Sequence, residues 1–93
     1  MAVPAAIIES TLRSALDIES IEVEDESWKH AGHAGAASGG GHYRLRIVSV
    51  AFEGLSRVSR HRLVYDRLHS LMANDIHALA IDARTPSEVR SAA

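Results

Sequence analysis

Residues 52–72 read FEGLSRVSRHRLVYDRLHSLM, and within them turn, helix, charge and apolar face are all specified together. Placed at about 100° per residue from Val58 onward, Val64, Leu68, Leu71, His61, Met72 and Tyr65 share one side, with Arg60 and Arg67 flanking it. The pattern predicts helical structure with its apolar side toward a core and a basic shoulder beside it. Phe52-Glu53-Gly54 supplies a strand exit and a glycine able to adopt positive φ, and Ser56 offers a hydroxyl to cap a helix. A strand therefore ends here and helix begins. The shoulder suits contact with nucleic acid or with protein, and this helix alone does not separate the two.

Composition narrows the surroundings of that helix. Ninety-three residues make a single small domain, 1–93, with one modest core. The formal net charge of −2 and a pI near 6.3 argue against a broad phosphate-binding surface, leaving only a local basic patch. Cysteine is absent, so the chain brings no disulfide, no thiolate ligand and no thiol nucleophile of its own. The opening MAVPAAIIES lacks a basic n-region and a long apolar h-region, and no apolar run approaches the roughly 20 residues of a membrane span. The expectation is a soluble, cytoplasmic protein with no membrane partner. Six histidines are an excess, and three of them, His30, His33 and His42, crowd into one short region.

Outward from the organising stretch, Pro4 suits a first helical turn, and Ile8, Leu12, Ala15 and Leu16 repeat on one face to about Leu16. Ser20–Asp25 alternates, Ile21 and Val23 against Glu22 and Glu24, as a strand wet on one side does. From Glu26 to Gly41, ESWKHAGHAGAASGGG holds five glycines and cannot bury a face, so a flexible loop is expected over 26–41. His42–Val50 resumes a strand with Tyr43, Leu45 and Ile47 on one face and Arg44 and Arg46 on the other, where they face Glu22 and Glu24 if the two strands pair. Ile76–Ala83 predicts a third strand, Leu79 and Ile81 inward, with His77 at its start. Thr85-Pro86-Ser87-Glu88 reads as a cap and one helical turn, after which 87–93 should fray.

The order is helix, strand, strand, helical pair over 56–72, strand. Three strands make one sheet, so the fold class is α+β with the helices on one face. The long connection from second to third strand suits a crossover, which makes that pair parallel and the sheet mixed.

These residues resemble the BolA family: DESWKHAGHAG after the first strand, HYRLRIVSVAFEGLSRVSRHRLVYDRLHSLM through the second strand and helices, then IHALAIDARTP. The resemblance covers nearly the whole chain, and RHRLVY after FEGLS followed by IHALAI is its most specific part. It implies a class II KH-like fold and a small non-catalytic partner of monothiol glutaredoxin, sharing a 2Fe-2S cluster whose remaining thiols come from glutaredoxin and glutathione. Some members are described as transcriptional regulators, which keeps DNA contact through 56–72 as the alternative. The resemblance places the metal ligands in the loop between the first two strands and at the start of the last, which map here to His33, or its neighbour His30, and to His77. Imidazole is the one ligand of this kind that a chain without cysteine can offer iron. No cluster is expected on the isolated protein, which should be a monomer.

Each candidate also has a plainer reading. His77, His30 and His33 taken one by one suit hydrogen-bonded or solvated histidines. His42 precedes its strand and is set aside from the ligand set because two loop histidines compete with it. His61 is expected buried in the apolar stripe and His69 in solvent. Arg57, Arg60 and Arg67 are candidates for nucleic-acid or partner contact, or for a solvated face. Where a KH domain places a GXXG loop against nucleotide phosphates, this chain has Ser-Arg-Val-Ser, which removes the close backbone approach. Nothing in the spacing of Ser, His and Asp suggests a catalytic triad.

Overall fold

A computed structural model of the chain describes residues 3–26, 41–73 and 75–92. Its elements are α1 (Ala5–Ala15), β1 (Ile18–Asp25), β2 (Gly41–Ser49), a 3-10 turn at Val50–Phe52, α2 (Arg57–Arg67), α3 (His69–Met72), β3 (Ile76–Arg84) and α4 (Pro86–Ala92). The three strands form one sheet in the order β1-β2-β3, antiparallel between β1 and β2 and parallel between β2 and β3. The mixed α+β sheet expected from the sequence is thus the observed one. Residues 27–40 of the expected flexible loop, with His30 and His33, lie outside the described residues.

Alternation along β2 builds the core. Tyr43, Leu45 and Ile47 turn inward and are buried, Arg44 and Arg46 turn outward, and Ile8 and Leu12 of α1 close over the same face with Phe52, Val64, Leu68, Ile76 and Leu79. The outward arginines meet the acids of β1 as charge pairing predicts: Glu22 stands opposite Arg46 and Glu24 opposite Arg44. Arg46 lies 4.0 Å from Glu22, whereas Arg44 leans to Glu26 at 3.6 Å. The arginines of both pairs are exposed, so they set register more than they add stability.

The turn into α2 forms as its residues dictate. Gly54 has φ +75°, the one positive φ among the described residues, and the Ser56 hydroxyl accepts from the Ser59 N–H at 3.2 Å to cap α2. The helix does not run to Met72. It ends at Arg67, and α3 restarts after Leu68, whose backbone N–H still reaches the Val64 and Tyr65 carbonyls. Within α2 two expectations for the stripe are corrected. Tyr65 is partly exposed, its hydroxyl 3.4 Å from the Leu79 carbonyl, and His61 is half-buried on a cleft wall rather than in the core. His69 is exposed, as expected.

The C-terminal segment is helical for longer than the sequence suggests. Helix α4 extends to Ala92 instead of ending after one turn. Thr85 Oγ1 accepts from the Glu88 N–H at 3.2 Å, while the Glu88 carboxylate accepts from the Thr85 N–H at 2.8 Å. This reciprocal capping box, with Pro86 at the first helical position, satisfies two otherwise orphaned donors. The same carboxylate takes two hydrogen bonds from Arg60, at 2.6 and 3.2 Å, and thereby ties α4 to α2.

Candidate functional site: the histidine corner of the sheet

Parallel pairing brings the beginnings of β2 and β3 to the same corner. Gly41 pairs with Ile76, but the next pair is His42 with Ala78, so β3 advances two residues while β2 advances one. His77 is the extra residue of this bulge. The slip lets Ile76 and Leu79 both point into the core although they are three apart in the chain, which strict alternation forbids. Bulges re-aim side chains, and this one turns the exposed His77 toward His42. The two imidazole rings lie with centroids 5.1 Å apart, inclined at 49°.

Backbone hydrogen bonds hold this corner from both sides. The Glu26 N–H donates to the His42 carbonyl at 2.7 Å, and the Gly41 N–H donates to the Asp75 carbonyl at 3.0 Å. His42 is half-buried, with Nε2 shielded from solvent. Beneath it, the Tyr43 hydroxyl donates to the Val3 carbonyl at 2.5 Å, fixing the ring over Gly41. Burial raises the Tyr43 pKa, and the Asp25 charge pushes in the same direction, so the phenol keeps its proton and remains a donor.

Gly41 is needed for close approach, since a Cβ there would overlap the Tyr43 ring. Gly41→Ala is therefore expected to displace Tyr43, break its bond to Val3 and destabilise the fold by about 1–3 kcal/mol. Thermal unfolding checks the loss, and the His42 and His77 ring resonances should shift with it. Unchanged resonances and melting temperature would show that the Tyr43 ring does not anchor this corner.

Of the ligands expected from the sequence, the structure places His77 at this corner, and beside it stands His42, which sequence reasoning sets aside. Among the described residues no group of three or more His, Cys, Asp or Glu could hold a metal ion. The corner brings together two imidazoles, His42 and His77, and no third group of this kind among the described residues. The arginine candidates divide. Arg57 is exposed at the start of α2, and Arg67 is exposed and pairs with its neighbour Asp66. The Arg60 side chain is only 14% exposed, and its guanidinium binds the Leu55 carbonyl at 2.9 Å, the Ala83 carbonyl at 3.1 Å and Glu88. Its charge is spent joining α2, β3 and α4.

Comparison with known proteins places this geometry in a family. The profile of the family described as BolA-like protein matches residues 12–88. The chain belongs to the BolA-like family. It is 44% identical over 85 residues to mouse BolA-like protein 1, covering 91% of this chain and 60% of that protein. It is 48% identical over 87 residues to Arabidopsis thaliana SufE-like protein 1, chloroplastic/mitochondrial, covering 88% of this chain but 24% of that protein. The chain thus spans less than two thirds of the length of these BolA-like relatives. Its fold matches the solved BolA domain of SufE1 from Arabidopsis thaliana with a TM-score of 0.81 at 44% identity, over 95% of this chain and 98% of that one. No helix among the described residues is long and apolar enough to cross a membrane.

Proposed function

We propose that this BolA-like chain is a non-catalytic partner of a monothiol glutaredoxin and holds one side of a shared 2Fe-2S cluster, for cluster transfer or iron sensing. The observation that carries the reading is the pair of imidazoles on the sheet corner of a chain that has no cysteine. Iron in a two-iron cluster accepts imidazole in place of thiolate, and such ligation raises the reduction potential. The donor set fits: His77 and a second imidazole supply nitrogen, and the glutaredoxin and glutathione thiols supply the sulfur this chain lacks. The bound cluster would supply electron-transfer and transfer chemistry, while the protein's own residues orient His77 through the bulge and keep its corner rigid through the Glu26 and Asp75 backbone bonds. The reading is favoured over DNA contact through 56–72, because the Arg60 charge is engaged within the fold.

The test is anaerobic assembly with a monothiol glutaredoxin, glutathione, iron and sulfide, followed by visible absorption. A charge-transfer spectrum that needs both proteins is expected, and His77→Ala should abolish it or shorten its lifetime at least about tenfold. An unchanged spectrum and lifetime in that variant would exclude His77 as a ligand. Steeply salt-dependent DNA binding by the isolated chain, without any shared spectrum, would favour the regulator instead.

A further inference from the structure

The outer edge of β3 carries backbone groups that the rest of the fold does not use. The Leu79 and Ala83 carbonyls accept from Tyr65 at 3.4 Å and from Arg60 at 3.1 Å, not from β2, and backbone groups alternate sides along a strand. Ile81, midway between them, therefore also turns its N–H and C=O away from β2, and neither has a hydrogen-bond partner among the described residues. Beside this edge runs an open cleft of about 750 Å³, walled by α2 and α4. Leu55, Ile81 and Ala83 give it an apolar lining, and Arg57 and Arg84 stand around it. We infer that this cleft takes an extended acidic segment of a partner protein, which adds to β3 as a short fourth strand. The inference goes beyond the shared cluster. Ile81 lies roughly 13 Å along β3 from His77 at the rise of a strand, so both ends of β3 can be engaged at once.

Shape selects the backbone geometry of the occupant. An edge strand with unpaired groups is a template for another strand, and addition there draws affinity from main-chain bonds and selectivity from alternate side chains. Arg60 and Tyr65 hold the carbonyls on either side of Ile81, but a carbonyl has two lone pairs, so an incoming N–H need not displace them. Charge selects the chemistry. Asp82 is neutralised by Arg84 at 2.9 Å and Glu88 by Arg60, whereas Arg57 is exposed and has no carboxylate partner among the described residues. The cleft is thus positive in a chain whose net charge is −2. An acidic partner meets this rim favourably, and a basic one is repelled. The apolar lining, together with Val58, which is 59% exposed on α2, suits apolar residues alternating with the acids. Nucleic acid fits less well: one uncompensated arginine offers few phosphate contacts, and the outward N–H and C=O of Ile81 match a peptide backbone.

The experiment titrates the isotope-labelled protein with a blocked peptide of about six residues that alternates valine and glutamate, at up to about millimolar concentration. Backbone amide resonances and amide exchange are the readouts. The Leu79, Ile81 and Ala83 amides are expected to shift together, and Ile81 to exchange at least about fivefold more slowly with peptide bound, while the His42 and His77 amides stay still. Arg57→Glu should weaken binding by about fivefold or more at low salt. Ile81→Pro removes the outward donor, which an edge strand tolerates because that N–H makes no bond to β2, and it should abolish binding. Thermal unfolding verifies the fold of both variants, and Arg57→Glu, at an exposed position, decides the matter should Ile81→Pro not fold. No shift with the peptide, or equal affinity in Arg57→Glu and the parent, would overturn the inference. Tighter binding of a valine–lysine peptide would do so too, and a single-stranded oligonucleotide that moves these amides when the peptide does not would assign the cleft to nucleic acid. Failure here is separable from that of the shared cluster. Both variants should keep the glutaredoxin-dependent spectrum, and its loss in either folded variant would make the cleft part of that contact instead of a second one.

Discussion

Arg60→Ala is expected to lower the melting temperature by roughly 10–20 °C. The guanidinium donates to the carbonyls of Leu55 and Ala83 and to the Glu88 carboxylate, and it is largely shielded from water. Removing it leaves two carbonyls without their charged donor, at a cost of about 2–3 kcal/mol, and each kcal/mol shifts a domain of this size by about 4–8 °C. Thermal or urea unfolding measures the loss. A shift below about 2 °C, within the range of ordinary surface substitutions, would mean that Arg60 is a solvated side chain. Its partner predicts a pH dependence of known sign. Glu88 titrates at about 2, against 4.5 ordinarily, chiefly because Arg60 and then the Thr85 N–H bind its charged form. The contribution is complete above pH 4.5 and fades as pH falls toward 2. Glu88→Gln should flatten that part of the stability profile, and an identical profile in the variant would remove the carboxylate from the clamp.

A larger loss is expected for Phe52→Ala. Phe52 is fully buried in the 3-10 turn that links β2 to α2, and it belongs to one core cluster with residues from the sheet and from α1 and α2. Deleting its ring removes apolar burial and leaves a cavity that a turn so constrained cannot collapse, costing about 3–5 kcal/mol. Small domains have about 5–15 kcal/mol in all, so the variant should unfold near physiological temperature and at much lower urea. Phe52→Leu should recover most of the difference. A variant within about 0.5 kcal/mol of the parent would contradict the assignment of this residue to the centre of the core, since such values mark surface positions.

The range of each interaction decides whether the residues disclose it. Gly54, Ser56, the alternation of Tyr43, Leu45 and Ile47, and the facing of Glu22 with Arg46 are all local or fixed by the pairing of β1 with β2, so period and turn chemistry suffice to read them. A helical pair over 56–72 is legible, but not the place of its break at Leu68, because Leu71 and Met72 keep the helical spacing across it. Arg60 looks like a surface cation, since nothing near it in sequence shows that Ala83 and Glu88 will close around it. The capping box is visible in Thr85 and Glu88, yet the length of α4 is not, because it depends on that carboxylate also meeting Arg60. His42 is the main omission. Its approach to His77 needs parallel strands and a one-residue slip, and the only sequence trace of the slip is that Ile76 and Leu79 cannot share a face of a regular strand.

That slip also bears on the order in which the sheet is completed. The antiparallel pair β1–β2 joins consecutive strands, but β2 meets β3 only after the helices have crossed over, and distant pairings form late because their closure entropy must be overcome first. The two imidazoles come together with that last pairing. β3 is moreover a rim strand, bound to the sheet on one side, with Arg60 and Tyr65 attending two of its carbonyls. If β3 peels away, the two rings separate in one event while the β1–β2 pair survives. The closeness of the two rings then reports on the completion of folding, and their resonances should separate together with faster amide exchange along β3.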